Sequence, residues 1–146
     1  MINLYNRVRN GLNKAQDLPL LFLRLILAYG FWEPAKTKWA DINSVAEWFE
    51  GMGIFAPKLN AYLAASTEMA GVFLLILGLG TRIICIPLII TMIVAIKTVH
   101  WENGFAASDN GYEIALYYML MLITLMCFGP GKLSIDYLIR KRLDKK

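Results

Sequence analysis

The sequence predicts an all-α integral membrane protein: a bundle of four membrane-spanning helices, with a short interfacial amphipathic helix between the first and second spans. Of its 146 residues, 58% are hydrophobic, whereas an ordinary soluble domain is about 45–50% apolar. Only 18% are charged, and the mean hydropathy is +0.49. The apolar residues form four runs close to the roughly 20 residues that cross a bilayer core. These observations exclude a disordered tail, a coiled coil and a disulfide-rich secreted domain.

The spans are predicted within a single domain, 1–146, at 18–37, 60–80, 83–101 and 113–130. Gly78 and Gly80 indicate a tight turn between the second and third spans. The Gly-Pro-Gly segment that begins at Gly129 is predicted to end the fourth helix. The first run is not interpreted as a cleaved signal peptide, because its core carries Arg24 and a poor cleavage region follows. It is therefore predicted to remain as the first span.

An even number of spans places both chain ends on one side of the membrane. Basic residues are concentrated on that side: Arg7, Arg9, Lys14, Arg82, Lys132, Arg140, Lys141, Arg142, Lys145 and Lys146. Only Lys36, Lys38 and Lys58 flank the other side. The positive-inside rule then predicts that 1–17 and 131–146 are cytoplasmic. The net charge of +4 is thus mainly a topology signal, and no nucleic-acid partner is expected.

The connection at about 38–58 is predicted to contain the amphipathic helix. Ser44 and Glu47 have the spacing of a capping box. Apolar residues follow at helical intervals, namely Val45, Trp48, Phe49 and Met52. The helix would lie in the membrane interface with its aromatic residues at headgroup level. A solvated loop whose periodicity arose by chance is the alternative.

Three ionisable residues, Arg24, Glu68 and Lys97, fall inside the predicted spans. Each would cost at least a few kcal/mol if it faced lipid without a partner. From the helical rise, Glu68 lies roughly 12 Å and Arg24 roughly 16–20 Å below the outer ends of their spans. We therefore expect a buried Arg24–Glu68 pair. The three charges could form a ligand site or a purely structural ion network, and Lys97 could instead extend to the interface.

Further polar residues are predicted to line a pocket that opens outward. They are Glu33, Lys97, His100, Glu113, Tyr117 and Thr124. His100 could serve as a proton carrier or as an interfacial hydrogen-bonding residue. Because it is the only histidine and neither cysteine belongs to a C-x-x-C pair, no metal site is predicted.

Several motifs occur in a fixed order along roughly 20–137. They are Leu23-Arg24-Leu25, Ala64-Ala65-x-x-Glu68-x-x-Gly71, Leu77-Gly78-Leu79-x-Thr81-Arg82, Thr98-Val99-His100-x-x-Asn103-Gly104-Phe105, Asn110-Gly111-Tyr112-Glu113 and Gly129-Pro130-Gly131-x-Leu133-Ser134-x-Asp136. Together they resemble the DoxX family of small four-helix membrane proteins. The residues that match this resemblance best are Arg24, Glu68, His100, Asn103 and Glu113.

The resemblance implies a protein of the bacterial inner membrane that is linked to respiratory or redox-stress chemistry. The family is related to the membrane subunit of thiosulfate:quinone oxidoreductase. The resemblance therefore implies a quinone as the ligand and no covalent cofactor. A soluble redox partner would be required for activity. Membrane lipid and a second copy of the chain are the other expected partners.

The resulting hypothesis is a quinone-linked oxidoreductase subunit. The residues predicted to act in catalysis are Glu68, His100 and Glu113. The residues predicted to bind the ligand are Arg24, Lys97, Asn103 and Tyr117. Two alternatives remain: a non-catalytic scaffold that recruits a partner protein, and a carrier for a small molecule.

Overall fold

The computed structural model describes residues 2–145, and its regular elements there are all helices. The α-helices are α1 (Ile2–Ala15), α2 (Asp17–Ala40), α3 (Ile42–Gly51), α4 (Pro57–Leu77), α5 (Thr81–Ala95), α6 (Glu113–Phe128) and α7 (Ile135–Leu143). A π-helical turn, Ile96–His100, continues α5, and two 3₁₀ turns follow at Trp101–Asn103 and Ala107–Asp109. The predicted all-α class is confirmed. Lys146, cited for the topology, lies outside the described residues, as does the side chain of Lys14.

Three of these helices are long and apolar enough to cross a membrane. They are α2, α4 and the continuous helical stretch Thr81–Asn103 that begins with α5. Helix α6 is equally apolar but has 16 residues, which gives about 24 Å against a hydrocarbon core of about 30 Å. Three of the four predicted spans therefore coincide with helices long and apolar enough to cross a membrane, and the fourth coincides with a shorter apolar helix.

The core lies between α2, α4, α5 and α6. Its fully buried side chains include Leu27, Phe31, Leu75, Leu88 and Leu122. Small residues of α4, namely Ala61, Ala65 and Gly71, are buried in this core. A Cβ at Gly71 would come within 2.9 Å of Leu88 Cδ1, so this glycine allows α5 to approach α4 closely.

Arg24 is fully buried where α2 passes the end of α4. Its Nη1 donates to the carbonyl of Leu75 at 3.2 Å, and its Nη2 donates to the carbonyl of Leu133. The predicted Arg24–Glu68 pair is wrong, since Glu68 lies two helical turns before Leu75, about 10 Å along α4. The guanidinium instead binds the Leu75 carbonyl in the last turn of α4, where carbonyl groups lack α-helical partners, and the Leu133 carbonyl just before α7.

The beginning of α7 holds the turn between α4 and α5 in place. The Asp136 carboxylate accepts from the backbone amides of Gly80 at 2.7 Å and Thr81 at 3.1 Å. Its own amide donates to the Gly78 carbonyl at 3.0 Å, and Ser134 caps α7. We call this end of the molecule, with Arg24, the tail end. An anionic side chain at the N-terminus of α5 is also favourable for the helix dipole.

Helix α3 confirms the predicted helix in the connection, but its cap differs from the prediction. Asp41 is the N-cap and its carboxylate accepts from the Ser44 amide at 3.0 Å. The predicted Ser44–Glu47 capping box is therefore wrong, because Ser44 is the third residue of the helix and not its cap. The Ser44 hydroxyl and then its amide lower the pKa of Asp41 below its usual range. Phe49 is buried and Trp48 is half-exposed, with α3 packed on α4. We call the end that holds α3 and residues 96–112 the loop end.

Candidate functional site

A cavity of about 720 Å³ lies among α2 to α6 at the loop end. Its wall is mainly apolar and includes Phe31, Phe49, Leu63, Ile90, Met92 and Ile114. Ligand pockets in proteins commonly enclose about 300–1,000 Å³ and combine such walls with a few convergent polar groups. The polar groups of this wall therefore decide what the cavity can bind.

An ion pair between Lys38 and Glu68 is the most buried charged feature of the cavity. Lys38 Nζ donates to Glu68 Oε2 at 2.7 Å, and the two side chains are 19% and 3% exposed. Helix α2 continues through Pro34, and Arg24, Phe31 and Lys38 follow one another at intervals of seven, so they share a face. Burying a lone carboxylate is costly, and the nearby ammonium offsets that cost.

His100 lies in the wall of the cavity, within the π-helical turn. Its Nδ1 is 2.8 Å from the backbone carbonyl of Asn110. Because a carbonyl can only accept, Nδ1 carries the proton, and Nε2 is the accepting atom of the neutral ring. The contact therefore selects the tautomer of His100.

Tyr118 closes part of the wall between α6 and α2. Its ring packs against Phe31 with 5.7 Å between the ring centroids. A Cβ at Gly30 would overlap the Tyr118 hydroxyl. Only glycine at position 30 lets this hydroxyl approach the backbone of α2 so closely.

Two of the seven predicted site residues, Glu68 and His100, line the cavity. Arg24 lies at the tail end, where it binds backbone carbonyls. Lys97 is exposed beside a separate depression of about 450 Å³ that Trp101 also lines. The structure therefore places neither Arg24 nor Lys97 in the wall of the cavity.

The remaining three predicted residues, Asn103, Glu113 and Tyr117, make contacts that shape residues 100–111, part of which lines the cavity. Tyr117 donates its hydroxyl proton to Glu113 Oε1 at 2.9 Å, and the amide of Ala107 donates to Glu113 Oε2 at 3.0 Å. Asn103 Nδ2 donates to the carbonyl of Asn110 at 3.2 Å. These contacts fix the path of the chain that places His100 and Asn110 in the wall.

Two other residues of the predicted outward pocket also lie outside the cavity wall. Glu33 is exposed and pairs with Lys36 at 3.1 Å. Thr124 donates its hydroxyl proton to the Leu120 carbonyl of its own helix at 2.9 Å. Across residues 2–145, no group of three or more His, Cys, Asp or Glu side chains is placed to hold a metal ion.

Sequence reasoning missed Lys38, Asn60 and Tyr118 as lining residues. The sequence prediction places Lys38 on the outer flank, because the predicted first span ends at residue 37. The seven-residue spacing from Arg24 through Phe31 was the signal that could have placed Lys38 on the buried face. No comparable spacing marks Tyr118, whose position depends on the glycine opposite it.

Two family models match the chain. The DoxX model matches residues 19–101, and the model described as "TQO small subunit DoxD" matches residues 62–146. The first match contains Lys38, Glu68 and His100, and the two matches overlap at residues 62–101, which include most of α4 and all of α5. No solved structure matches the chain.

Three curated relatives are similar over most of their length. An uncharacterized protein of Haemophilus influenzae is 36% identical over 126 residues, which cover 84% of this chain and 83% of that one. A Bacillus subtilis protein named "Putative oxidoreductase CatD" is 28% identical over 130 residues, 89% of this chain and 93% of its own. An "Uncharacterized membrane protein" of Mycobacterium tuberculosis is 34% identical over 104 residues, 64% of each chain. With a family model covering more than half of its length and three helices able to span a membrane, the protein belongs to the DoxX family of membrane proteins.

Proposed function

We propose that the protein is a quinone-linked membrane subunit of a respiratory or redox-stress oxidoreductase system, and that the cavity holds the quinone headgroup. The observation that carries this proposal is the Lys38–Glu68 pair inside a mainly apolar cavity of about 720 Å³. An apolar ring with two polar oxygens needs such a combination. Ionisable side chains within membrane spans are also most often functional.

The lining residues fit a quinone headgroup. Lys38 and the hydroxyl of Tyr118 can donate to an oxygen of the ring, while Glu68 and Nε2 of His100 can accept a proton. The aromatic and aliphatic wall excludes water from the ring. A bound quinone would supply the electron-carrying chemistry, and the chain would position it and handle protons.

Proton handling is assigned to the two predicted residues that line the cavity, Glu68 and His100. Lys38 is partly exposed and contacts Glu68 directly, so it connects the deep carboxylate with the loop end. Arg24, Lys97 and Glu113 are assigned supporting roles, because none of them lines the cavity.

We further propose that α6 forms the fourth span and completes a four-helix bundle in the bacterial inner membrane. The basic residues of α7, Arg140, Lys141 and Arg142, lie at the tail end and favour a cytoplasmic position for both chain ends. The cavity would then open toward the outer side. The similarity to a model described as a small subunit supports a larger partner that supplies or removes electrons.

Quinone binding can be measured directly on the full-length protein in mild detergent. Lipids are extracted from the purified protein and analysed for quinone, and a short-chain ubiquinone analogue is then titrated. We expect wild type to bind the analogue and Glu68→Gln to bind it about tenfold more weakly, the effect of about one charge-assisted hydrogen bond. Glu33→Gln is the matched control, because Glu33 is an exposed carboxylate outside the cavity. Absence of extracted quinone together with equal affinities in all three proteins would eliminate the proposal.

A non-catalytic scaffold is the second candidate, favoured by the exposed basic surface of α7. It requires a soluble protein that co-purifies with the full chain from native membranes. Its association would survive Glu68→Gln and would be lost when Arg140, Lys141 and Arg142 are replaced by glutamine. Loss of the complex in Glu68→Gln alone would contradict a scaffold role.

A further inference from the structure

Two threonines that line the cavity, Thr91 on α5 and Thr98 on the π-helical turn, already donate their hydroxyl protons within the protein. Thr91 Oγ1 donates to the Pro87 carbonyl at 3.0 Å, and Thr98 Oγ1 donates to the Val94 carbonyl at 2.9 Å. A hydroxyl has one proton and two lone pairs. Both threonines line the cavity and can therefore offer it only hydrogen-bond acceptors.

Three further polar side chains of the wall, Asn60, Glu68 and His100, also offer acceptors. Asn60 Nδ2 donates to the carbonyls of Phe55 at 2.6 Å and Ala56 at 3.4 Å, which leaves its Oδ1 as the group that is not engaged. Because Nδ1 of His100 faces the Asn110 carbonyl, Nε2 is the acceptor whenever the ring is neutral. The carboxylate of Glu68 can only accept. Five side chains of the wall thus favour a ligand that donates hydrogen bonds.

Donors are fewer in the same wall. Lys38 and Trp48 are the lining side chains that can only donate. Lys38 is already bonded to Glu68 at 2.7 Å, and Trp48 is half-exposed on α3. The hydroxyls of Thr67 and Tyr118 also line the cavity and can donate or accept, so they adapt to either kind of ligand.

We propose that the cavity binds the hydroquinone form of its ligand more tightly than the quinone form. A hydroquinone has two hydroxyl groups that donate to these acceptors, whereas a quinone has only carbonyl oxygens and leaves the acceptors unpaired. A buried polar group that loses its partner weakens binding. This inference rests on the proposed function, and it specifies the oxidation state of the ligand that the free protein holds.

The experiment compares the two oxidation states of one short-chain ubiquinone analogue. Full-length protein in detergent is equilibrated anaerobically with either form by dialysis, and empty micelles correct for partitioning. We expect the reduced form to bind at least about tenfold more tightly, the change produced by one unmade hydrogen bond. If neither form binds, both this inference and the proposed function fail. If the oxidised form binds equally well or better, this inference alone is overturned.

A pair of threonine variants tests whether the accepting wall causes the preference. Thr91→Val/Thr98→Val removes two acceptors with little change in volume, and it should lower the affinity for the reduced form several-fold while leaving the oxidised form unchanged. Thr124→Val is the control, because Thr124 makes the same bond to its own helix at 2.9 Å but does not line the cavity. A preference that survives the double variant unchanged, or falls equally in the control, would overturn the assignment to these acceptors.

Glu68→Gln provides a second test, because it changes the acceptor and keeps the Lys38 donor in the wall. It removes the carboxylate acceptor and supplies an amide that can donate as well as accept. The ratio of the affinity for the reduced form to the affinity for the oxidised form should fall toward one. An unchanged ratio in this folded variant would show that Glu68 does not select the reduced form.

Discussion

Replacing Lys38 by methionine leaves the Glu68 carboxylate without its ammonium partner. Glu68 is 3% exposed and Lys38 is 19% exposed, so water replaces little of the lost contact. Breaking a buried pair by removing one partner costs about 3–5 kcal/mol, and the partial exposure of Lys38 favours the lower end, about 3 kcal/mol. At roughly 2–4 °C per kcal/mol for a chain of this length, Tm should fall by about 6–12 °C.

The assay is thermal unfolding of the detergent-solubilised protein, followed by intrinsic fluorescence. Lys36→Met is the matched control, because it breaks the exposed pair with Glu33. The side chain of Lys36 is 50% exposed and that of Glu33 is 70% exposed. Exposed pairs contribute about 0–1 kcal/mol, so this variant should shift Tm by no more than about 4 °C. Adding Glu68→Gln to Lys38→Met should recover part of the lost stability. Equal losses in Lys38→Met and Lys36→Met would refute the reasoning.

Three other predictions concern local geometry. Gly80→Ala should cost about 1–2 kcal/mol for its left-handed backbone, whereas Gly78→Ala should cost clearly more in denaturation assays because its added methyl would also overlap a buried guanidinium. Gly30→Ala should lower Tm through overlap with Tyr118, and the double variant with Tyr118→Leu should be more stable than Gly30→Ala alone; the opposite order would contradict that contact. Because hydrogen bonds lower the pKa of Asp41, its ionised cap stabilises α3 above the ordinary carboxyl pKa of about 3.9 and is lost as the pH falls through the lowered value. Asp41→Ala should therefore accelerate amide exchange in α3 at pH 7, with the difference from wild type shrinking in strong acid.

The helical class, most span positions and the inward direction of Glu68 could be predicted, because each depends on local hydropathy or helical periodicity. The partner of Glu68 could not. The estimated depth of Arg24 predicts that it pairs with Glu68, but side-chain contacts also depend on which helices are neighbours at that depth. The extension of α2 to Ala40 carried Lys38 to the buried position instead.

The environment of His100 shows a second limit of sequence reasoning. The spacing of Lys97 and His100 by three residues predicts one shared helical face. The π-helical turn at Ile96–His100 changes the residues per turn, and it leaves Lys97 exposed while His100 lines the cavity. No pattern in the residues themselves announces that turn.

The two carbonyl contacts of Arg24 also bear on how the chain enters the membrane during synthesis. Its partner Leu133 lies 109 residues further along the chain, so the ribosome completes α2 long before this carbonyl exists. Until then the guanidinium can stay at the aqueous boundary through its flexible aliphatic stem. We expect α2 to settle to its final depth only after α6 and the residues before α7 have emerged, which makes a segment translated about 109 residues later a requirement for completing membrane helix α2.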